Sequence, residues 1–90
     1  MMKIPTEDRD LIIKRLRRIE GQIRGLQAMV DEGRDCSDTL TQFTAASKAM
    51  DKAAFRFFSA TYEQCKLRPV EAAENGYTSD ALEKMFLRLG

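Results

Sequence analysis

Apolar residues recur in the first third of the chain at Ile12, Leu16, Ile19, Ile23, Leu26 and Val30. Steps of four and three are the period of a helix with one apolar seam. Pro5-Thr6-Glu7-Asp8 reads as its start, with Thr6 as the cap and two carboxylates complementing the positive end of the dipole. Gly33 is a C-cap, so helix 1 is predicted over about 6–32. Arg34-Asp35 is a tight connection, and Asp35 is the candidate cap of the next helix. Its seam reads Cys36, Leu40, Phe43, Ser47, Met50, Ala54, Phe57, Thr61 and Cys65, with Phe58 beside it. Neither Pro nor Gly falls between the cysteines, so helix 2 is predicted over about 36–67, with Lys66 and Arg68 suiting its C-terminus. Pro69 forbids a simple continuation and Asn75-Gly76 marks a turn. Ser79 or Asp80 then caps a short helix 3 over about 79–89, with Leu82, Met85, Phe86 and Leu89 on one face.

The chain is therefore expected to be all-α, one small helical domain over residues 1–90. Three helices enclose two long seams poorly. Two copies enclose them well, as an antiparallel four-helix bundle.

That geometry bears on the two cysteines. On one helix, 29 residues is roughly eight turns, so both sulfurs point within about 20° of each other but stand roughly 43 Å apart. A disulfide needs Cα atoms within about 7 Å, so they cannot meet within one chain. In an antiparallel pair, Cys36 of one copy lies beside Cys65 of the other. A buried small hydrophobe is the ordinary role of a cysteine, but the shared face and the symmetric spacing favour a pair. Cys36 also opens a helix, where the dipole favours thiolate.

Composition narrows the picture further. With 15 Lys+Arg against 14 Asp+Glu, net charge points to no partner. Its distribution does. Lys14 and Arg18 lie on the outer face of helix 1, flanked by Arg15 and Gln22 on one side and by Arg17 and Arg24 on the other. Lys48, Lys52 and Arg56 recur at i, i+4, i+8 on the face of helix 2 opposite the cysteines. Two basic stripes on adjacent helices suit the phosphates of double-stranded DNA, although an ordinary solvated face accounts for charge alone. No helix-turn-helix or zinc finger accompanies them. Gly21 and Gly25, on the same outer side, each cost up to about 1 kcal/mol against Ala, which points to close approach by a phosphate backbone or another protomer, with two tolerated surface glycines as the alternative.

The absences also decide something. There is no histidine, no phosphate loop and no metal motif, so the chain is not expected to be an enzyme or to hold a resident cofactor or metal. It carries no membrane-length apolar run and no signal-peptide core, and reads as soluble and cytoplasmic.

The run Leu16-Arg17-Arg18-Ile19-Glu20-Gly21-Gln22-Ile23-Arg24-Gly25, with Cys36, Met50-Asp51-Lys52-Ala53 and Cys65, resembles the copper-sensitive operon repressor (CsoR) family over roughly residues 6–89. The resemblance implies a repressor that binds operator DNA through a basic surface without a conventional reading head. It also implies a homodimer that pairs into a homotetramer, and a sensing site between helix 2 of one protomer and helix 2 of the other.

The copper sensors are similar at Cys36 and Cys65 but carry a histidine where this chain has Thr61. The nickel and cobalt sensors use several histidines, and the formaldehyde sensors an N-terminal proline that Pro5 does not supply. What remains is closest to the branch that senses persulfides and other reactive sulfur species (CstR-like). The expected inducer is then a persulfide or polysulfide that links Cys36 to Cys65 of the partner through two or more sulfurs and releases DNA. A Cu(I)-responsive repressor using the same two thiolates is the alternative, and a helical scaffold that binds no DNA is a third.

Overall fold

The computed structural model describes residues 2–89. Among them run four helices and no strand: α1 (Thr6–Asp31), α2 (Cys36–Leu67), α3 (Pro69–Glu74) and α4 (Ser79–Arg88). The fold is all-α.

α1 begins one residue earlier than the capping pattern suggests. Pro5 is the N-cap, with extended backbone, and its carbonyl accepts from the Arg9 N–H at 3.0 Å. Thr6 is thereby already inside the helix and caps nothing. At the other end Gly33 adopts φ +67°. The Arg34 N–H donates to Met29 O at 3.0 Å and the Gly33 N–H to Val30 O at 3.2 Å. This is the paired reverse bonding of a left-handed helix stop, a conformation that costs a side-chain-bearing residue more than glycine. α2 follows at once, because Asp35 Oδ2 accepts from the Ser37 and Asp38 N–H groups at 3.1 and 3.3 Å.

Pro69 does more than stop α2. It occupies the first turn of α3, where a missing N–H costs nothing because that group has no helical partner. Arg68, at φ −131° and ψ 67°, is the single non-helical residue between the two helices. The expected three helices are therefore four. α4 is capped by Thr78, whose hydroxyl accepts from the Ala81 N–H at 3.2 Å, and not by Ser79 or Asp80.

α1 and α2 form an antiparallel hairpin that makes the body of the molecule, and α3 and α4 fold back on α2. Its core differs from the expected seams. On α1 the buried residues are Ile12, Ile19 and Leu26, and on α2, apart from Cys65 near its end, they are Thr39, Ala46, Ala53 and Ala60. Both sets repeat every seven residues, the register of helices packed at a shallow angle. Large side chains on α1 thus meet small ones on α2, which lets the backbones approach closely. The bulky part of the expected α2 seam lies outside: Leu40 is 65 % and Phe43 50 % exposed, and Met50 and Phe57 are exposed with them. Leu16, Ile23 and Val30 of α1 are exposed too.

The result is a slab, 53 × 25 × 14 Å, with an apolar face running along the hairpin. An exposed face of this kind marks an interaction surface. It suits the antiparallel four-helix-bundle dimer.

Candidate functional site

Cys36 is the first residue of α2 and is exposed; Cys65 lies two residues from its end and is 7 % exposed. Both are free thiols. α2 is uninterrupted between them, so they stand roughly 43 Å apart. No disulfide can close within the chain.

Their surroundings differ from a shared buried stripe. Cys36 is open because the hairpin contact begins at Thr39. Cys65 is covered by its own chain, not by α1: it clusters with Ala72 of α3 and Leu82 of α4, and Met2, Phe58, Tyr77 and Met85 pack against that cluster. Burial pushes the Cys65 thiol up from its ordinary pKa, because the anion loses hydration there.

Thr61, one turn before Cys65, donates its hydroxyl to Phe57 O at 2.9 Å. It satisfies itself on the helix backbone. Among the described residues no three His, Cys, Asp or Glu side chains converge as a metal cage.

Two hollows open on the hairpin and its flank. One, about 660 Å³, lies between α1 and α2 and is lined by Ile23, Val30, Phe43 and Met50. The other, about 530 Å³, is lined by Ala54, Phe57, Phe58 and Thr61 of α2 with Met85 and Leu89 from the C-terminal end. They sit at opposite ends of the α2 stripe, each bordered by part of it.

The basic residues stand apart from this face. Lys14, Arg15, Arg17, Arg18, Lys48, Lys52 and Arg56 are exposed, and among the described residues none makes an ion pair. At about 100° per residue, Lys48, Lys52 and Arg56 project away from the Leu40–Phe43–Met50 stripe. Two of the expected contacts are compromised. Arg24 is paired with Glu20 at 2.8 Å on the surface, an interaction that a phosphate can displace at little cost. Gln22 is half-buried, and its Oε1 has no partner. A Cβ built on Gly21 or Gly25 meets nothing within 4 Å, so neither glycine is required by packing inside the protomer.

Two features were missed from the sequence. The alanine spacing Ala46, Ala53, Ala60 was visible as a seven-residue repeat but was overshadowed by the larger apolar residues beside it. The α3–α4 cover over Cys65 had no such signal, since Pro69 reads equally as a stop and as a start.

An all-helical slab with basic and apolar faces and a thiol at each end of one helix describes a class of helical regulator. The chain belongs to the metal-sensitive transcriptional repressor family, whose family model matches residues 8–88. It is 39 % identical over 75 residues to the copper-sensing transcriptional repressor RicR of Mycobacterium tuberculosis, covering 83 % of this chain and 76 % of that one. It is 32 % identical over 81 residues to the copper-sensing transcriptional repressor CsoR of Bacillus subtilis, covering 90 % and 80 %. Among solved structures it is similar to the copper-sensing repressor CsoR with Cu(I) from Geobacillus thermodenitrificans, with a TM-score of 0.68 and 31 % identity over 96 % of this chain and 86 % of that one. The family is one of repressors that act on DNA as assemblies of copies, not of enzymes. No helix among the described residues is long and apolar enough to cross a membrane.

Proposed function

We propose that the protein is an operator-binding repressor that Cu(I) releases, received by Cys36 of one protomer and Cys65 of its antiparallel partner. The observation that carries this is the pair of free thiols at opposite ends of one unbroken helix, in a chain whose relatives sense copper. Two thiolates fit the ion chemically, because soft sulfur donors favour Cu(I). They offer two thiolate ligands and no imidazole, since the chain has no histidine and Thr61 presents only a hydroxyl engaged with the backbone. When bound, the metal supplies a link between the two helices.

The chain's own residues set the register. Pairing Cys36 with the partner's Cys65 brings Leu40 to the partner's Thr61 and Phe43 to the partner's Phe58, with Met50 near the two-fold axis. The hollow of about 530 Å³ beside Phe57, Phe58 and Thr61 is then where Leu40 and Phe43 of the other copy are received. The exposed Phe55, Tyr62, Phe86 and Leu87 lie off this face and support the pairing of dimers into a tetramer. Lys14, Arg15, Arg17, Arg18, Arg24, Lys48, Lys52 and Arg56, with Gln22 beside them, form the surface for DNA. Linking the α2 helices favours a bundle geometry in which these stripes no longer match the phosphate spacing. A shift worth about 5.5 kcal/mol takes such an equilibrium from one state almost wholly to the other.

One observation favours a second effector. The chain has no histidine, and Thr61 stands where the copper sensors it resembles carry one. In that reading the Cys36 thiolate attacks the outer sulfur of an organic persulfide, giving a Cys36 persulfide and a released thiolate. The partner's Cys65 thiolate then attacks the Cys36 sulfur, forming the disulfide and expelling hydrosulfide.

One titration separates the two. Reduced protein on fluorescent double-stranded DNA from its own promoter is exposed to Cu(I) or to an organic persulfide without oxygen, then weighed intact. Release by Cu(I), with one metal per thiol pair, supports the first reading. Release by the persulfide alone, with a covalent dimer, replaces it with the second.

A further inference from the structure

The two thiols of α2 are not equivalent, and the difference lies in how α3 and α4 fold back over one of them. Cys36 is exposed at a helix start. Cys65 lies under Ala72, which is 2 % exposed, and Leu82, which is 8 % exposed. Phe58, Tyr77 and Met85 close the edges of that cluster. Phe86 of α4 packs on the aromatic rings of α2, its ring centroid 5.5 Å from Phe58 and 6.3 Å from Phe55.

The cover is joined so that it can move as a unit. Its connection to α2 is the single non-helical residue Arg68. α3 and α4 are tied to each other by a backbone turn in which the Tyr77 N–H donates to Ala72 O at 2.8 Å and Gly76 takes φ +84°. Among the described residues no side-chain hydrogen bond or ion pair fastens α4 to α2. The packing between them is apolar and comparatively sparse. Units of this kind open locally at a small fraction of the cost of global unfolding.

We propose that α3 and α4 form an apolar cap, hinged at Arg68, that keeps Cys65 out of reach until it lifts, so that the exposed Cys36 meets the effector first. Leu82 and Tyr77 are then specificity-determining residues: they admit to Cys65 only what Cys36 of the partner presents, and they exclude bulky or charged thiol reagents from solution. The proposal takes its significance from the reading of Cys36 and Cys65 as the effector-receiving thiols. Its test depends on the fold alone.

The test is the rate of carbamidomethylation of each cysteine in the reduced full-length protein by iodoacetamide, read by peptide mass. Cys65 is expected to react at least about tenfold more slowly than Cys36, as for a group exposed only by local opening. Leu82→Ala removes the main covering side chain and is expected to speed Cys65 at least about fivefold, with Cys36 unchanged. Met85→Ala, at the edge of the cap, gives a smaller rise in the same direction. It serves as the readout if Leu82→Ala lowers the helix signal in circular dichroism. Equal rates at the two cysteines in the unaltered protein would overturn the proposal. So would a slow Cys65 that ignores both substitutions, which would assign its protection to the partner chain. Neither result would touch effector binding, which is read separately by DNA release.

Discussion

α2 carries two apolar stripes side by side, and they differ chiefly in the size of their residues. The inner stripe, Thr39, Ala46, Ala53 and Ala60, is buried against α1. The outer stripe, Leu40, Phe43, Met50 and Phe57, is bulkier and exposed. If the protomer were the finished structure, the large residues would be the ones inside, because burying a Leu or Phe side chain gains roughly 1.5–3 kcal/mol each. The chain instead uses alanine for its internal contact and keeps the larger gain for a second copy. Folding and assembly are thereby assigned to different residues on the same helix, and substitutions can separate them.

The largest effect is expected at the outer stripe. Met50→Glu places like charges near the two-fold axis, and Phe43→Asp puts a carboxylate in the apolar interface. Each is expected to weaken the dimer by about 100-fold or more, as loss of a central anchor does. Analytical ultracentrifugation checks this, and DNA affinity should fall with it. At the inner stripe the effect is on folding. Ala53→Leu forces a large side chain between closely packed backbones and should cost about 1–3 kcal/mol of stability in urea titrations. An Ala53→Leu protein as stable as its parent would mean that the inner stripe does not hold the hairpin.

A substitution on neither stripe sharpens the contrast. Lys52→Ala with Arg56→Ala should leave assembly and stability alone. It should weaken DNA binding and reduce the slope of log affinity against log salt by about 0.9 for each phosphate left without its cation. The smallest effect concerns Cys65. Its pKa is raised by burial, so the stability this gives is complete below the ordinary thiol pKa and is lost as pH rises through the raised value. Cys65→Ala should flatten the alkaline fall in the urea midpoint relative to the unaltered chain.

Much of this was legible in the sequence, for reasons that particular residues show. The hairpin was, because Gly33 and Asp35 carry unambiguous stop and start chemistry and the interval from Cys36 to Cys65 holds no helix breaker. The separation of the thiols followed from helix arithmetic. Which stripe faces α1 was not legible: a seam that is apolar in sequence can be buried by its own chain or by another, and the pattern of Leu40, Phe43 and Met50 is the same in both cases. The environment of Cys65 was hidden for a different reason. Ala72 and Leu82 reach it only after two reversals of direction, at Arg68 and at Gly76, and the first depends on how a proline is used.

The central claim is that each effector-binding thiol pair is built from two chains, and subunit mixing tests it most directly. Protomers carrying Cys36→Ser and Cys65→Ser are co-refolded, and the mixed dimer is isolated by two different affinity tags. Cu(I) uptake is then measured against a chromophoric Cu(I) chelator. In the mixed dimer one pair is intact and the other carries two serines. The account predicts no competitive Cu(I) uptake by either variant alone and one Cu(I) per mixed dimer. Uptake by either variant alone equal to the unaltered protein, or none by the mixed dimer while the unaltered protein binds, would contradict it.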